Sequence, residues 1–154
     1  MNERVGDAES AGTIDLTARD VFAEWARATI RYADLDPNNH VNNGAINQFF
    51  EDGRVQFRTA RMAPLGEATL AGFALVRYSA TYRAALHYPG EVEIGTVVTR
   101  LGGSSYDLGQ GVFQGDKCIA TAEVTTVHIV DGRSARLPDT VRAILEAARS
   151  AGQG

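Results

Sequence analysis

Residues 45–62 carry the strongest helical pattern in the chain, and one long helix of this kind dictates what must surround it. Ile46, Phe49, Phe50, Gly53, Phe57 and Ala60 recur at helical spacing and make an apolar stripe. Gln48, Asp52, Gln56 and Arg58 lie largely off it. Asn42 or Asn43 supplies the N-terminal cap. The helix is expected to run to Arg58 or Arg61, before Pro64 and Gly66 end it. Some sixteen residues give a rod of roughly 24 Å. Gly53 weakens such a helix by about 1 kcal/mol relative to Ala, so its place in the stripe points to close approach by whatever the helix lies on.

The chain beyond the helix reads as strand. In residues 73–83, Ala74, Val76, Tyr78, Ala80 and Tyr82 share one parity, and Arg77, Ser79, Thr81 and Arg83 the other. Pro89-Gly90, Gly102-Gly103 and Gly115-Asp116 then punctuate three further β segments, over 91–101, 104–114 and 117–130. In the last, Cys118, Ala120, Ala122 and Val124 are expected on one face. Pro138 opens a C-terminal helix with Val141, Ile144, Leu145 and Ala148 as its stripe. Ahead of the long helix, residues 24–33 are ambiguous: alanine content argues helix, and alternation through Ala26, Ala28, Ile30 and Tyr32 argues strand, which we adopt. Residues 17–23 suit a short helical turn capped by Thr17, and residues 1–16 read as a disordered arm before one domain over 17–150. One long helix needs a large apolar surface, and a curved antiparallel sheet supplies it, giving an α+β fold. Phe73, Leu75, Val97, Phe113, Val127 and Ile129 fall on the opposite sheet face, which implies a second burial, most simply against another subunit.

Composition bounds the function. A net charge of −4 with no basic block disfavours nucleic acid as a partner. The single cysteine, Cys118, excludes an internal disulfide and a multi-cysteine metal site. The polar start has no apolar h-region, and no apolar run approaches the ~18 residues that cross a bilayer. A cytoplasmic protein without membrane association is the expectation.

Chemistry concentrates at the mouth of the long helix. Asp34-Leu35-Asp36-Pro37-Asn38-Asn39-His40-Val41-Asn42-Asn43 holds two carboxylates, four carboxamides and one of three histidines. Asp36 reads either as a turn or capping residue before proline, or as a general base or nucleophile. Asp34 reads as structural, binding loop N–H groups at a strand end. The first N–H groups of a helix, here at Asn43 and Gly44, lack intrahelical acceptors, and the helix dipole adds to their pull on an anion. Glu51 lies about two turns into the helix, where pairing with Arg54 or Arg58 is the simplest role.

The run RYADLDPNNHVNN followed by FFEDGR resembles the signature of hotdog-fold acyl-CoA thioesterases, closest to the 4-hydroxybenzoyl-CoA thioesterase and YbgC-like branch. Tyr82, the LGGSSY strand entry and the long GDKCIATAEVTTVHIVD strand are similar as well, so the resemblance spans residues 24–131. It implies a hotdog fold, a sheet wrapped round the helix, with homodimers sharing one continuous sheet, dimers that pair further into tetramers, and active sites at the dimer interface. It implies that Asp36 is the catalytic carboxylate and that the Asn43 N–H, with Gly44 next and Asn42 capping, stabilises the oxyanion. Asn38 and His40 lie within reach of Asp36 in a compact loop, where they would orient water or the thioester carbonyl; Asp36, Asn38 and His40 resemble the Asp-x-Asn-x-His pattern of plant acyl-carrier-protein thioesterases, whereas the benzoyl-CoA branch lacks that His. His40 could equally do no more than hydrogen-bond the loop. Ser104 and Ser105 would lie near the pantetheine arm, and Arg83 and Arg100 would meet the coenzyme A phosphates. Gly102-Gly103 occupy the loop where the benzoyl-CoA branch clusters basic residues. Another hotdog branch carries its catalytic Glu on the helix, which keeps Glu51 in reserve.

The resulting expectation is an acyl-CoA thioesterase with no metal or redox cofactor, coenzyme A being part of the substrate. Two alternatives stand beside it. A hotdog hydratase or dehydratase spaces its Asp and His one residue further apart than Asp36 and His40. A non-catalytic acyl-CoA-binding module would have no need of Asp36.

Overall fold

The structure, a computed structural model, describes residues 14–67 and 71–149. The arm expected over 1–16 falls mostly outside these residues. Strand β1 (Glu24–Ile30) leads through a short 3-10 turn (Tyr32–Asp34) into helix α1 (Asn43–Met62). Strands β2 (Phe73–Tyr82), β3 (Gly90–Leu101), β4 (Ser105–Gln114) and β5 (Lys117–Val130) follow, then the two-residue β6 (Arg133–Ser134) and helix α2 (Asp139–Ala147). The named strands all pair antiparallel, in the order β1-β3-β4-β5-β2 with β6 on β5, so β1 and β2 are the edges of the main sheet. A curved antiparallel sheet thus wraps one long central helix, with a second helix at the C-terminus: the hotdog fold.

Local chemistry explains the helix. The Asn42 side chain accepts a hydrogen bond from the Ala45 N–H at 2.6 Å and caps the first turn. Ile46, Phe49, Phe50, Gly53 and Phe57 are buried as the stripe requires. Ala60 is exposed, and Met62 is buried in its stead. The reason is α2. The last turn of α1 brings Met62, with Phe57, into one cluster with Leu137, Val141, Leu145 and Ala148 and with Val98, Tyr106 and Leu108 of the sheet. The other half of α1 packs Ile46, Phe49 and Phe50 on Val92, Ile94, Val112, Ala120 and Ala122. A Cβ on Gly53 would sit 2.5 Å from the Ile94 methyl Cγ2. Gly53→Ala therefore sets a gain of about 1 kcal/mol in helix propensity against overpacking of about 1–3 kcal/mol. The second wins, because Ile94 is a β-branched side chain fixed in the sheet, and the variant is expected to melt lower than wild type. A higher melting temperature would refute the close contact.

Two bulges correct the expected faces. In β2 the register slips between Leu75 and Arg77, with Val76 as the extra residue. Val76 is therefore 58% exposed, whereas Phe73 joins the helix-side core and meets Tyr106 edge-on at 6.0 Å. In β5 the pairing passes from Val112↔Ala120 to Phe113↔Cys118. Ile119 is the extra residue, and Cys118 turns away from Ala120 and Ala122 to pack with Phe113 on the outer face. Burial there raises the Cys118 thiol pKa, which fits a structural rather than a nucleophilic residue.

The outer face also differs from expectation at Val97 and Phe113. Both are fully buried within this chain, under Leu16 and Phe22 with Trp25 alongside. The ring of Phe22 lies so close to β3 that a Cβ on Gly95 would be 2.5 Å from it. Residues 14–23 act as a strap across the sheet, so no second subunit is needed to cover these two side chains. Thr17 is not the cap of its 3-10 turn (Arg19–Val21); its N–H and hydroxyl both donate to the Asp15 carboxylate, at 3.0 and 2.6 Å.

Candidate functional site

The segment between β1 and α1 is a pinched loop. Leu35 and Val41 form an antiparallel bridge, and the Asp36 N–H donates to His40 O at 2.8 Å. Inside the pinch, Asp36 Oδ1 accepts from the Asn38 N–H (2.8 Å) and the His40 N–H (3.2 Å). Asn39 takes φ 67°, a left-handed conformation that asparagine tolerates better than other side chains. The loop thus uses an acceptor at 36 and a residue at 39 that accepts a left-handed backbone. Asp36 Oδ2 makes no hydrogen bond among the described residues, and the residue is half-buried. One oxygen fixes the loop, and the other has no partner among the described residues.

Asp34 anchors this loop to the body. Its carboxylate accepts from Arg31 N and Arg31 Nη2, each at 2.8 Å, and its carbonyl accepts from Asn42 N at 2.9 Å. The structural role expected for Asp34 is what its contacts describe. Burial works against its ionisation, but the hydrogen bonds and charge of Arg31 outweigh burial and hold the carboxyl below its ordinary pKa. A depressed pKa contributes stability above the ordinary value of 3.8, and that contribution is lost as pH falls through the folded value. The Arg31 side chain is 73% exposed, so solvent screens much of the interaction. Melting curves of wild type and Asp34→Asn should differ most near pH 6 and converge near pH 2. A constant gap would exclude the ion pair as its source.

The anchor places Asn42 where its side chain caps α1, and the next two N–H groups, of Asn43 and Gly44, have no acceptor among the described residues. Both residues are exposed or nearly so. One turn further on, Asn47 Oδ1 accepts from both Tyr78 OH (2.8 Å) and Tyr82 OH (2.7 Å) of edge strand β2. Burial pushes the Tyr78 pKa up to about 12, so its hydroxyl stays a donor. With its oxygen taken, the Asn47 amide has only NH2 donors left to offer. The ring of His40 meets His87, from the loop after β2, edge-on at 5.0 Å, and Leu86 O accepts from the Val41 N–H.

Asn47 and His87 were not singled out from sequence. Asn47 had a readable signal, lying four residues after Asn43 on one helix face. His87 had none, since its neighbour comes from a different loop.

The remaining candidates stand apart from this loop. Arg100 is committed to Asp107, through Nε at 2.8 Å and Nη2 at 3.0 Å, and its Nη2 also reaches Ser105 Oγ. Thr125 donates to the same carboxylate. Ser104 and Ser105 are half-buried at a turn held by Arg142, whose Nη2 donates to Gly102 O and Gly103 O. Arg83 is exposed, and its charge is felt by Asp15 and Cys118. The hydrogen bonds described for Arg83, Ser104 and Ser105 do not involve Asp36. Glu51 is exposed and forms no ion pair with Arg54 or Arg58.

Two depressions flank α1. One, of about 590 Å³, opens beside β1 and is bordered by Arg31, Asp34, Ala45 and Gln48. The other, of about 240 Å³, lies between α1 and strands β2, β4 and β5. Asp34 borders the larger of the two, and neither includes Asp36 or Asn43 in its lining. Among the described residues no group of three His, Cys, Asp or Glu side chains could hold a metal ion, and no helix is long and apolar enough to cross a membrane.

A curved antiparallel sheet wrapped round one long helix, with an acidic loop at the helix mouth, defines a hotdog-fold protein. A sequence model of the thioesterase-like superfamily matches residues 30–145, and the chain belongs to that superfamily. Among solved structures it is similar to a thioesterase complexed with coenzyme A and Zn from Thermus thermophilus, at 27% identity and TM-score 0.76, over 84% of this chain and 96% of that one. A protein from Pseudomonas aeruginosa strain PAO1 shares the fold at 24% identity and TM-score 0.74, over 86% and 96%. So does a 1,4-dihydroxy-2-naphthoyl-CoA thioesterase from Synechocystis, at 15% identity and TM-score 0.67, over 79% and 93%. No curated protein matches the sequence.

Proposed function

We propose that this chain hydrolyses acyl-CoA thioesters to a free carboxylic acid and coenzyme A. The observation that carries the reading is the pair of acceptor-free N–H groups at Asn43 and Gly44, tied through Asn42 and Asp34 to the loop that holds Asp36. A thioester carbonyl seated on the Asn43 N–H gains most as its oxygen becomes an anion, because the helix dipole acts on the developing charge. Asp36 Oδ2 takes a proton from water as the water attacks, or attacks the carbonyl itself to give an anhydride that water then opens. The C–S bond breaks, and coenzyme A leaves as the thiolate and is protonated. Asn38 and His40 position water or carbonyl from the exposed side of the loop. The likeness to a coenzyme A-bound thioesterase supports the substrate class.

Arg83 is the freer cation for the coenzyme A phosphates, since Arg100 is already held by Asp107. Ser104 and Ser105 would line the pantetheine path. The outer edge of β2 carries exposed Leu75, Val76 and Tyr82, a surface suited to pairing with a second copy into a homodimer. Further pairing into a dimer of dimers would have to use surfaces other than Val97 and Phe113, which the strap covers.

Thiol release measured across short, long, branched and aromatic acyl-CoAs tests the reading. Release from at least one class supports it. Hydration of an enoyl-CoA without thiol release would favour a hydratase, and calorimetric binding without turnover a binding module.

A further inference from the structure

The 240 Å³ cavity between α1 and the sheet has one charged wall. Glu51, Arg54, Val55 and Arg58 line it from the helix, facing Phe73, Leu75, Tyr106, Leu108 and Thr126 from the strands. Arg54 and Arg58 are half-buried, and neither forms an ion pair with a carboxylate among the described residues. Three other half-buried arginines are paired with carboxylates: Arg19 with Glu93 at 2.8 Å, Arg61 with Glu24 at 2.9 Å and Arg149 with Glu146 at 3.7 Å. Arg142 instead donates to two backbone carbonyls at a turn. A half-buried cation left without an anion is a standing desolvation penalty that a ligand carboxylate would relieve.

The guanidinium of Arg54 is also held in place. Nη1 donates to Gln110 Oε1 at 3.1 Å, and the cation lies 5.4 Å from the centroid of the Tyr78 ring. Gln110 is fully buried, and its Nε2 is fixed by Phe50 O at 3.0 Å and Thr96 Oγ1 at 3.1 Å. Its amide is therefore oriented by the core with the oxygen toward Arg54. The remaining N–H groups of Arg54 have no acceptor among the described residues, and such a fork suits a carboxylate. Glu51, at the same cavity, offsets one of the two arginine charges electrostatically, without an ion pair to either. One positive charge is left over, which a single ligand carboxylate would balance.

Resting on the thioesterase reading, we infer that this cavity takes the distal carboxylate of an ω-carboxyacyl group, with Arg54 as its principal partner and Arg58 as its second. The apolar walls from Phe73, Leu75 and Leu108 would carry the methylene chain. Arg54 lies eleven residues beyond Asn43, about 16 Å along the helix axis. Its side chain leans back toward the helix start, so a medium-length diacid spans the interval better than the shortest ones.

The test is a matched comparison of suberyl-CoA with octanoyl-CoA, and of adipyl-CoA with hexanoyl-CoA, by thiol release. For wild type, kcat/KM for the carboxylated member should exceed that for its neutral partner by roughly ten- to a hundredfold, the scale of a charge-assisted hydrogen-bonded pair. In Arg54→Met that ratio should fall toward one, and Arg54→Lys should recover part of it. The ratio compares two substrates on one protein, so partial loss of folded enzyme does not disturb it. Arg58→Met gives a second, smaller drop. A wild-type ratio of one or less overturns the inference while leaving the thioesterase reading intact, and a carboxylate from a second copy seated on Arg54 would have that signature. Were no acyl-CoA hydrolysed, the thioesterase reading would fail and calorimetry with free suberate and octanoate would decide the cavity. Suberate binding weakened by Arg54→Met upholds the site, and absence of suberate binding removes it.

Discussion

Asp36→Asn is expected to lower thiol release from acyl-CoA by about 10²–10⁴-fold with the fold unchanged. The substitution separates the two roles the residue can have. As a loop residue, Asp36 uses Oδ1 to accept from the Asn38 and His40 N–H groups. Asparagine keeps an oxygen at that position, so the loop should hold and the melting temperature should stay close to wild type. As a base or nucleophile it needs the second oxygen to be anionic, and asparagine replaces that oxygen with an amide nitrogen that cannot accept a proton. Loss of rate without loss of stability therefore identifies chemistry. Normal turnover of every substrate that wild type hydrolyses would sink the mechanism. Loss of both rate and stability would mark Asp36 as a loop residue first. His40→Ala should be milder, because the loop uses the His40 backbone rather than its ring.

Phe50→Ala should be the most damaging core change on the helix, by about 3–5 kcal/mol. For a chain of this length that lowers the melting temperature by roughly 6–20 °C. Phe50 is fully buried in the cluster between α1 and strands β3 to β5. Its ring lies edge-on to Tyr78 at 6.4 Å, and its carbonyl accepts from the buried Gln110 amide. The cavity left behind cannot collapse easily, since the helix is already in contact with the sheet at Gly53 and cannot move closer. Loss of the ring also frees Tyr78, which holds Asn47 beside the helix mouth. Denaturant melts would show the loss directly, and a fall of under about 3 °C would mean that the core repacks around the void.

The helix, a cap at Asn42 or Asn43, the succession of helix and strands along the chain and the acidic loop were all legible in the sequence, because each is written in local spacing. The sheet order was not, since a consecutive meander would put β2 beside β3 and the structure puts it on the far edge beside β5. A stripe such as Ile46, Phe49, Phe50 and Phe57 depends on the helical period alone. The same holds for the link between Asp36 and the loop N–H groups two and four residues on, which is short-range hydrogen bonding. Faces in the strands were less legible. Strict alternation put Phe73 away from the helix and Cys118 toward it, and one extra residue at Val76 and another at Ile119 reversed both. A bulge leaves the composition of a strand unchanged while shifting its phase. The strap was hidden for a different reason. Residues 14–23 have little periodicity, and Leu16 and Phe22 matter only because Gly95 and its neighbours leave room for them.

By itself the sequence determined one capped helix, the strands that must wrap it and the carboxylate at its mouth, since caps, periods and turns act over a few residues. Tertiary structure decided what converges on that helix. Tyr78 and Tyr82 reach Asn47 from the edge strand, His87 reaches His40 from another loop, and Gln110 aims Arg54 from the middle of the sheet. The hydrogen bonds among them join residues 31 to 56 positions apart. They depend on register and sheet curvature, which only the packed chain sets.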